Sequence, residues 1–211
     1  MKTTSKSGER TLLMSVVLSS PGPIVVGVGL FLGRSSTQLA DFIRRTAELA
    51  AILVSYLIYR VLHKCGGSPE PMRRQSLERT ANTCVGAAMC LSGAVMCGIA
   101  FLNGSSDKGN VMPGLCIAVL GVTTNTWFWL RYRILNREKR DVILEAQSNL
   151  YRAKSLVDTC VLAALLTVAL VPGTSAAEIV DTWGSVIVAG YLFVNGIITI
   201  RRIGKNGRFI E

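Results

Sequence analysis

The sequence predicts an all-α membrane protein of six transmembrane helices, and three observations carry that prediction. Half of the 211 residues are apolar and only 17% are charged, with a mean hydropathy of +0.42, which is too oily for a soluble domain of this length. The apolar residues gather into six stretches, each close to the roughly 20 residues that a helix needs to cross a hydrocarbon core about 30 Å thick. The basic residues between those stretches fall in alternate loops, as they do in multi-pass proteins.

The first stretch, Leu12 to Gly33, follows Lys2, Lys6 and Arg10. Read as a secretory signal it would leave five spans and spoil the charge alternation, and no small-residue cleavage site follows it cleanly, so it is a span. Pro21-Gly-Pro23 inside it is expected to kink or break the helix. The second span, Leu39 to Leu62, opens with Asp41, Arg44, Arg45 and Glu48. The third, Ala81 to Leu102, carries Gly86, Ala87, Gly93, Ala94 and Gly98, and the sixth, Ile179 to Ile200, carries Gly184, Ala189, Gly190 and Gly196. With Gly29 and Gly33 on the first span, these small residues let helix backbones approach in lipid, which suits a bundle and a homodimer formed through membrane helices. The fourth span, Val111 to Leu130, has Asn125 near its middle, and the fifth, Leu150 to Val171, holds Lys154 and Asp158. The organisation that follows is a tail over 1–11, a six-helix membrane domain over 12–203 and a short tail over 204–211.

The net charge of +10 is a topology signal. Arg60, Lys64, Arg73, Arg74 and Arg79 lie between the second and third spans, Arg131, Arg133, Arg137, Lys139 and Arg140 follow the fourth, and Arg201, Arg202, Lys205 and Arg208 follow the sixth. The opposite loops hold little more than Arg34 and Lys108. Both termini and the basic loops are therefore expected in the cytoplasm of a multi-pass protein of the cell membrane, with anionic lipid and not nucleic acid as the contact. Cys84, Cys90, Cys97, Cys116 and Cys160 lie within the spans as small packing residues. His63 and Cys65 stand near each other at the cytoplasmic end of the second span, but two ligands do not make a metal site. No phosphate loop, nucleophile elbow or metalloprotease helix is present, so the chain does not read as an enzyme.

Charged residues inside the bilayer cost a few kcal/mol each on insertion scales, so they face a protein interior and find partners there. On a helix, Arg44 and Glu48 share a face, with Asp41 close to it, and Lys154 and Asp158 share a face of the fifth span. Arg45 points about 100° away from Arg44. Two helices that each place a carboxylate four residues after a cation are expected to form one four-charge cluster, near Asn125. It reads either as salt bridges that staple the helices or as a binding site or proton relay part-way across the membrane. Glu178 and Asp181 are expected to sit in water at the outer start of the sixth helix, where acidic side chains suit the dipole.

These residues carry a resemblance. The six spans, the opening Gly33-Arg-Ser-Ser-Thr-Gln-Leu-Ala-Asp-Phe-Ile-Arg-Arg-Thr-Ala-Glu48 of the second, Asn125 on the fourth and Lys154-Ser-Leu-Val-Asp158 on the fifth together resemble the membrane domain of the cation diffusion facilitator family, from about Leu12 to Ile203. The resemblance implies a secondary transporter that exchanges a divalent metal ion for protons as a dimer alternates its access. Family members carry a His or Asp followed four residues later by Asp on the second span, and a like pair on the fifth. The matching positions here are Arg44 with Glu48 and Lys154 with Asp158, so each second ligand survives as a carboxylate and each first ligand has become a cation. Glu48 and Asp158 are the metal-ligand candidates, and Asp41, Arg44, Asn125 and Lys154 complete the candidate ion pathway.

That departure changes the chemistry expected of the site. Two carboxylates beside an arginine and a lysine are already neutral, and arginine does not give up its proton. The family's usual cytoplasmic metal-binding domain is also expected to be missing, since only Arg202 to Glu211 follow the last span. The first expectation is a transporter of zinc, manganese, cobalt or iron, in which burial makes Lys154 a proton-linked switch. The alternative is a relative that moves no metal: a scaffold or partner subunit locked shut by its ion pairs, or a carrier of a different substrate.

Overall fold

A computed structural model describes residues 2–32, 36–64, 70–102, 112–170 and 175–206, and they are helical almost throughout. The elements are α1 (Lys2–Ser19), α2 (Pro21–Leu32), α3 (Ser36–Lys64), α4 (Pro71–Leu102), α5 (Met112–Lys139), α6 (Val142–Leu170) and α7 (Ser175–Asn206). Helices α1 and α2 are two pieces of the first predicted span, so the described residues form an all-α bundle of six rods.

The break between α1 and α2 follows from proline chemistry. Pro21 has no N–H to offer the carbonyl of Val17, four residues back. The Ser20 hydroxyl donates to that carbonyl instead, at 2.8 Å, while the Ser20 N–H closes the last regular turn on Val16 O at 3.0 Å. Pro23 removes a second donor two residues later. The interruption thus lies part-way along a stretch from Ser7 to Val28 that is long and apolar enough to cross a membrane.

Phe42–His63 and Pro71–Gly98 also meet that requirement among the described residues. Helices α5, α6 and α7 have comparable lengths of 28, 29 and 32 residues, and α5 and α6 carry Asn125, Lys154 and Asp158 in place of apolar side chains. At their basic ends α4, α5 and α6 run eight to ten residues beyond the apolar stretches seen in the sequence. The outer surface is apolar: Ile24, Val28, Val119, Trp183, Ile187 and Val194 are all exposed, as a lipid-facing surface requires.

Among the described residues, α4 and α7 cross with their backbones in close contact. A Cβ on Gly86 would lie 2.7 Å from Gly196 O, one on Gly196 would lie 2.8 Å from Gly86 O, and one on Gly93 would lie 2.9 Å from Ala189 O. Small residues seven apart on each helix therefore form a seam in which the backbones touch. Gly98, Gly184 and Gly190 have open space around them and take no part in this seam.

Helices α5 and α6 form a tight hairpin. Arg140 has a positive φ of 47° and its N–H reaches Asn136 O at 2.7 Å, the left-handed ending common at helix C-termini. Asp141 then caps α6, its Oδ1 accepting from the N–H groups of Ile143 at 2.9 Å and Leu144 at 3.3 Å. Between α1, α5 and α6 lies an aromatic cluster, with Tyr151 centred 4.9 Å from Phe128 and 5.5 Å from Tyr132. These three rings are almost wholly buried and hold the walls of the site described next.

Candidate functional site

Glu48 lies on the inward face of α3, in a buried stripe with Ala51, Ile52, Ser55 and Tyr59. Lys154 lies on the inward face of α6, in a stripe with Leu150, Tyr151 and Val157. The spacing of three and four residues sets both stripes. The two side chains meet across the helix boundary, Lys154 Nζ lying 3.1 Å from Glu48 Oε2. The other carboxylate oxygen, Oε1, accepts from the Ser92 hydroxyl of α4 at 2.7 Å. The ammonium also stands 5.3 Å from the centre of the Tyr151 ring, close enough for a cation–π attraction.

One turn beyond Lys154, Asp158 accepts from Asn125 Nδ2 of α5 at 2.6 Å, through Oδ2. Gly121 makes room for this carboxylate, because a Cβ there would come within 2.8 Å of Oδ2. Gly121 and Asn125 are four residues apart and so share the face of α5 that meets Asp158. Nearby, Thr126 and Ser155 share a hydrogen bond of 2.6 Å between the same two helices.

Glu48, Ser92, Gly121, Asn125, Tyr151, Lys154 and Asp158 line one cavity of about 1060 Å³, walled by α2 to α6 with Leu18 and Ser19 from the end of α1 and Leu192 from α7. Arg44 and Arg45 line it too, and the Arg44 charge acts on both Glu48 and Asp158. The guanidinium of Arg45 lies against Gly22, where an added Cβ would stand 3.4 Å from Nη1. The cavity therefore reaches the α1–α2 break, with Ser19, Pro21 and Pro23 in its lining. Apolar side chains, among them Val25, Met96, Leu120, Val161 and Leu192, form the remainder of its wall.

Of the residues singled out in the sequence, Arg44, Glu48, Asn125, Lys154 and Asp158 come together around this one cavity. The contact that joins the two helices is the ion pair of Lys154 with Glu48, while Asp158 accepts from Asn125 and the Arg44 charge acts on both carboxylates. Helix packing supplies the reason: α3 and α6 turn these faces toward each other, so the long lysine chain reaches a carboxylate on the opposite wall. Asp41 lies on α3, but its side chain is outside the described residues, as are those of Glu178 and Asp181. Sequence reasoning missed Ser92, Gly121 and Tyr151. A lone serine or glycine on an apolar span carries no signal of its own, although Gly121 stands four residues before Asn125.

His63 is not placed as a metal ligand among the described residues. Its Nδ1 lies 2.9 Å from Tyr59 O, its ring stacks on Tyr59, and its Nε2 stands 3.7 Å from Asp141 Oδ2, which ties α3 to the α5–α6 corner. Cys65 falls outside the described residues. No group of three His, Cys, Asp or Glu side chains comes together among the described residues.

The Lys154–Glu48 pair has a measurable signature. Removing one partner of a buried ion pair costs about 3–5 kcal/mol, whereas replacing both with apolar or neutral groups of similar volume is often close to neutral. Lys154→Met alone is expected to destabilise the protein by that amount in a detergent unfolding titration, and Lys154→Met with Glu48→Gln to recover most of it. Equal losses in the single and double variants would show that the pair contributes nothing.

The fold and this site define a multi-pass membrane protein with a cavity between its helices that is lined by charged side chains. A sequence model of the cation efflux transmembrane domain matches residues 12–203, and the chain belongs to that family, the cation diffusion facilitator type of transporter. No curated protein matches the sequence significantly.

Proposed function

We propose that this protein is a secondary transporter that exchanges a divalent cation for protons through the cavity between α2, α3, α5 and α6. The observation that carries the proposal is the buried Lys154–Glu48 ion pair in the wall of that cavity, one turn from Asp158. In this reading the lysine ammonium is a built-in cation that holds the substrate's place. A divalent ion reaching Glu48 and Asp158 displaces it. Stripped of its carboxylate and set beside a second positive charge in a low-dielectric site, Lys154 gives up its proton, which leaves on the side from which the cation came. When the cation departs, Lys154 takes a proton again and returns to Glu48. One proton thus moves against each cation at this residue, and Arg44, which keeps its charge, holds the site's electrostatic balance.

The rest of the reading follows from the charge pattern and the family. The termini and basic loops face the cytoplasm of the cell membrane, the membrane domain spans 12–203, and two copies associate through membrane helices. Zinc, manganese, cobalt and iron are the cations to test.

One observation favours a second reading. Both carboxylates are already satisfied by protein groups, Glu48 by Lys154 and Ser92, and Asp158 by Asn125. A protein whose lysine never leaves would be a scaffold or partner subunit, or would carry a substrate other than a metal ion. Reconstitution into liposomes separates the two. With a zinc, manganese, cobalt or iron gradient imposed and internal pH followed, the exchange reading expects cation entry accompanied by proton exit. Absence of flux with every metal would favour the locked reading.

A further inference from the structure

Two polar contacts fix how α3 and α6 run past each other. Lys154 meets Glu48 in the cavity wall, and His63 Nε2 lies 3.7 Å from Asp141 Oδ2 at the start of α6. The chain between these contacts runs over residues 48–63 on α3 and, in the opposite direction, 141–154 on α6. At 1.5 Å per residue the two stretches span about 22 Å and about 20 Å, so the helices lie side by side over that length. Ser55 stands seven residues after Glu48, and Gln147 seven before Lys154. Seven residues fall only about 20° short of two full turns, so each repeats the facing of its charged neighbour, about 10 Å further along. Ser55 and Gln147 therefore belong to one layer of the seam between α3 and α6.

Both residues are wholly buried, and the cavity lining stops short of them, at Glu48 on α3 and Leu150 on α6 among the described residues. Ser55 donates to Ala51 O at 2.8 Å, which leaves its oxygen able to accept. Gln147 is less well served: neither Nε2 nor Oε1 meets a hydrogen-bond partner among the described residues. Asn82 and Asn136 each show this for Oδ1 alone, and Asn82, four residues before Gly86, lies on the side of α4 that meets α7. A buried amide that satisfies nothing weakens a fold, and a leucine or methionine at position 147 would carry no such cost. Proteins keep a weakness of this kind where function uses it.

We propose that Gln147, with Ser55 across the seam, is a second and uncharged binding position for the divalent cation, between the cavity and the end of the helices marked by His63 and Asp141. The inference rests on the exchange reading above and extends its pathway beyond the floor of the cavity. Amide and hydroxyl oxygens are neutral hard donors of the kind that small divalent cations accept. Carrying no charge, they hold the ion weakly enough to let it go, which a position in transit requires. The ion reaches this layer when α3 and α6 part, and Gln147 Oε1 and Ser55 Oγ are the oxygens it meets there. No bond is made or broken in this step beyond those of coordination.

Gln147→Met keeps the length of the side chain and removes the amide. In detergent, the thermal midpoint of the full chain is expected to hold or to rise by about 2–4 °C, because an unsatisfied buried group has gone. In liposomes with a zinc or manganese gradient, the flux is expected to fall at least tenfold. Affinity for the same metal, measured on the detergent-solubilised chain, is expected to stay within twofold, since Glu48 and Asp158 are untouched. Flux at the unsubstituted rate in Gln147→Met overturns the second position while leaving the exchange reading in place. A lower midpoint or less folded protein also overturns it, in favour of an amide that only supports packing, and so does a flux loss matched by an equal loss of affinity. No movement of either metal through the unsubstituted protein shows instead that the exchange reading has failed and takes the second position with it.

Discussion

Asp158→Asn is expected to abolish metal-driven proton counterflow while leaving a folded protein. The amide keeps the volume of the carboxylate and the packing against Gly121, where a Cβ would come within 2.8 Å of the present Oδ2. Its oxygen still accepts from Asn125 Nδ2, which holds the carboxylate at 2.6 Å. What disappears is one of two negative charges available to a cation. Loss of one member of a buried, hydrogen-bonded charge pair costs about 2–5 kcal/mol of binding, which is roughly 30-fold or more in affinity. Flux at micromolar zinc should fall to background, and the elution volume and thermal midpoint in detergent should stay near those of the unsubstituted protein. Retained flux would remove Asp158 from the pathway.

The second large effect is structural. Gly196→Val places a branched side chain where a Cβ alone would stand 2.8 Å from Gly86 O, 3.1 Å from Cys90 N and 2.5 Å from Cys90 Sγ. Two of these neighbours are backbone, which has no rotamer to adopt, so α4 and α7 must separate. Overpacking of a tight interior costs about 1–3 kcal/mol and sometimes more, and a backbone seam belongs at the upper end of that range. Gly190→Ala, with open space around the new Cβ, is the control and is expected to be neutral or slightly stabilising, since alanine favours the helix. A Gly196→Val protein as stable as the control would mean that the α4–α7 seam does not hold the bundle.

The fold was legible because the bilayer imposes simple rules. Six apolar stretches, charge alternation and Pro21-Gly-Pro23 were enough to place the rods and the break in the first of them. Glycines on the third and sixth spans pointed to close packing, yet they did not say that Gly86 and Gly93 meet Gly196 and Ala189 while Gly98 and Gly190 stay open. That distinction depends on how each helix is rotated, which composition does not encode. The sequence marked Arg44, Glu48, Asn125, Lys154 and Asp158, which the structure gathers around one cavity, but not which groups meet across helices. Helical spacing tells which residues share a face of one helix, and so it suggested Arg44 with Glu48 and Lys154 with Asp158. The contact of Lys154 with Glu48 depends on the juxtaposition of α3 and α6. Ser92 and Gly121 were invisible for a related reason: their roles exist only in relation to Glu48 and Asp158 on other helices.

The central claim is that Lys154 is a cation the substrate displaces and from which a proton is released. Lys154→Arg tests it most directly, because arginine keeps the ion pair with Glu48 but does not release its proton. Zinc influx and internal pH would be followed together in liposomes containing either protein. The account predicts zinc-driven proton counterflow with the native lysine and none, together with zinc flux near background, with arginine. Zinc flux and proton counterflow at native rates in Lys154→Arg would contradict it.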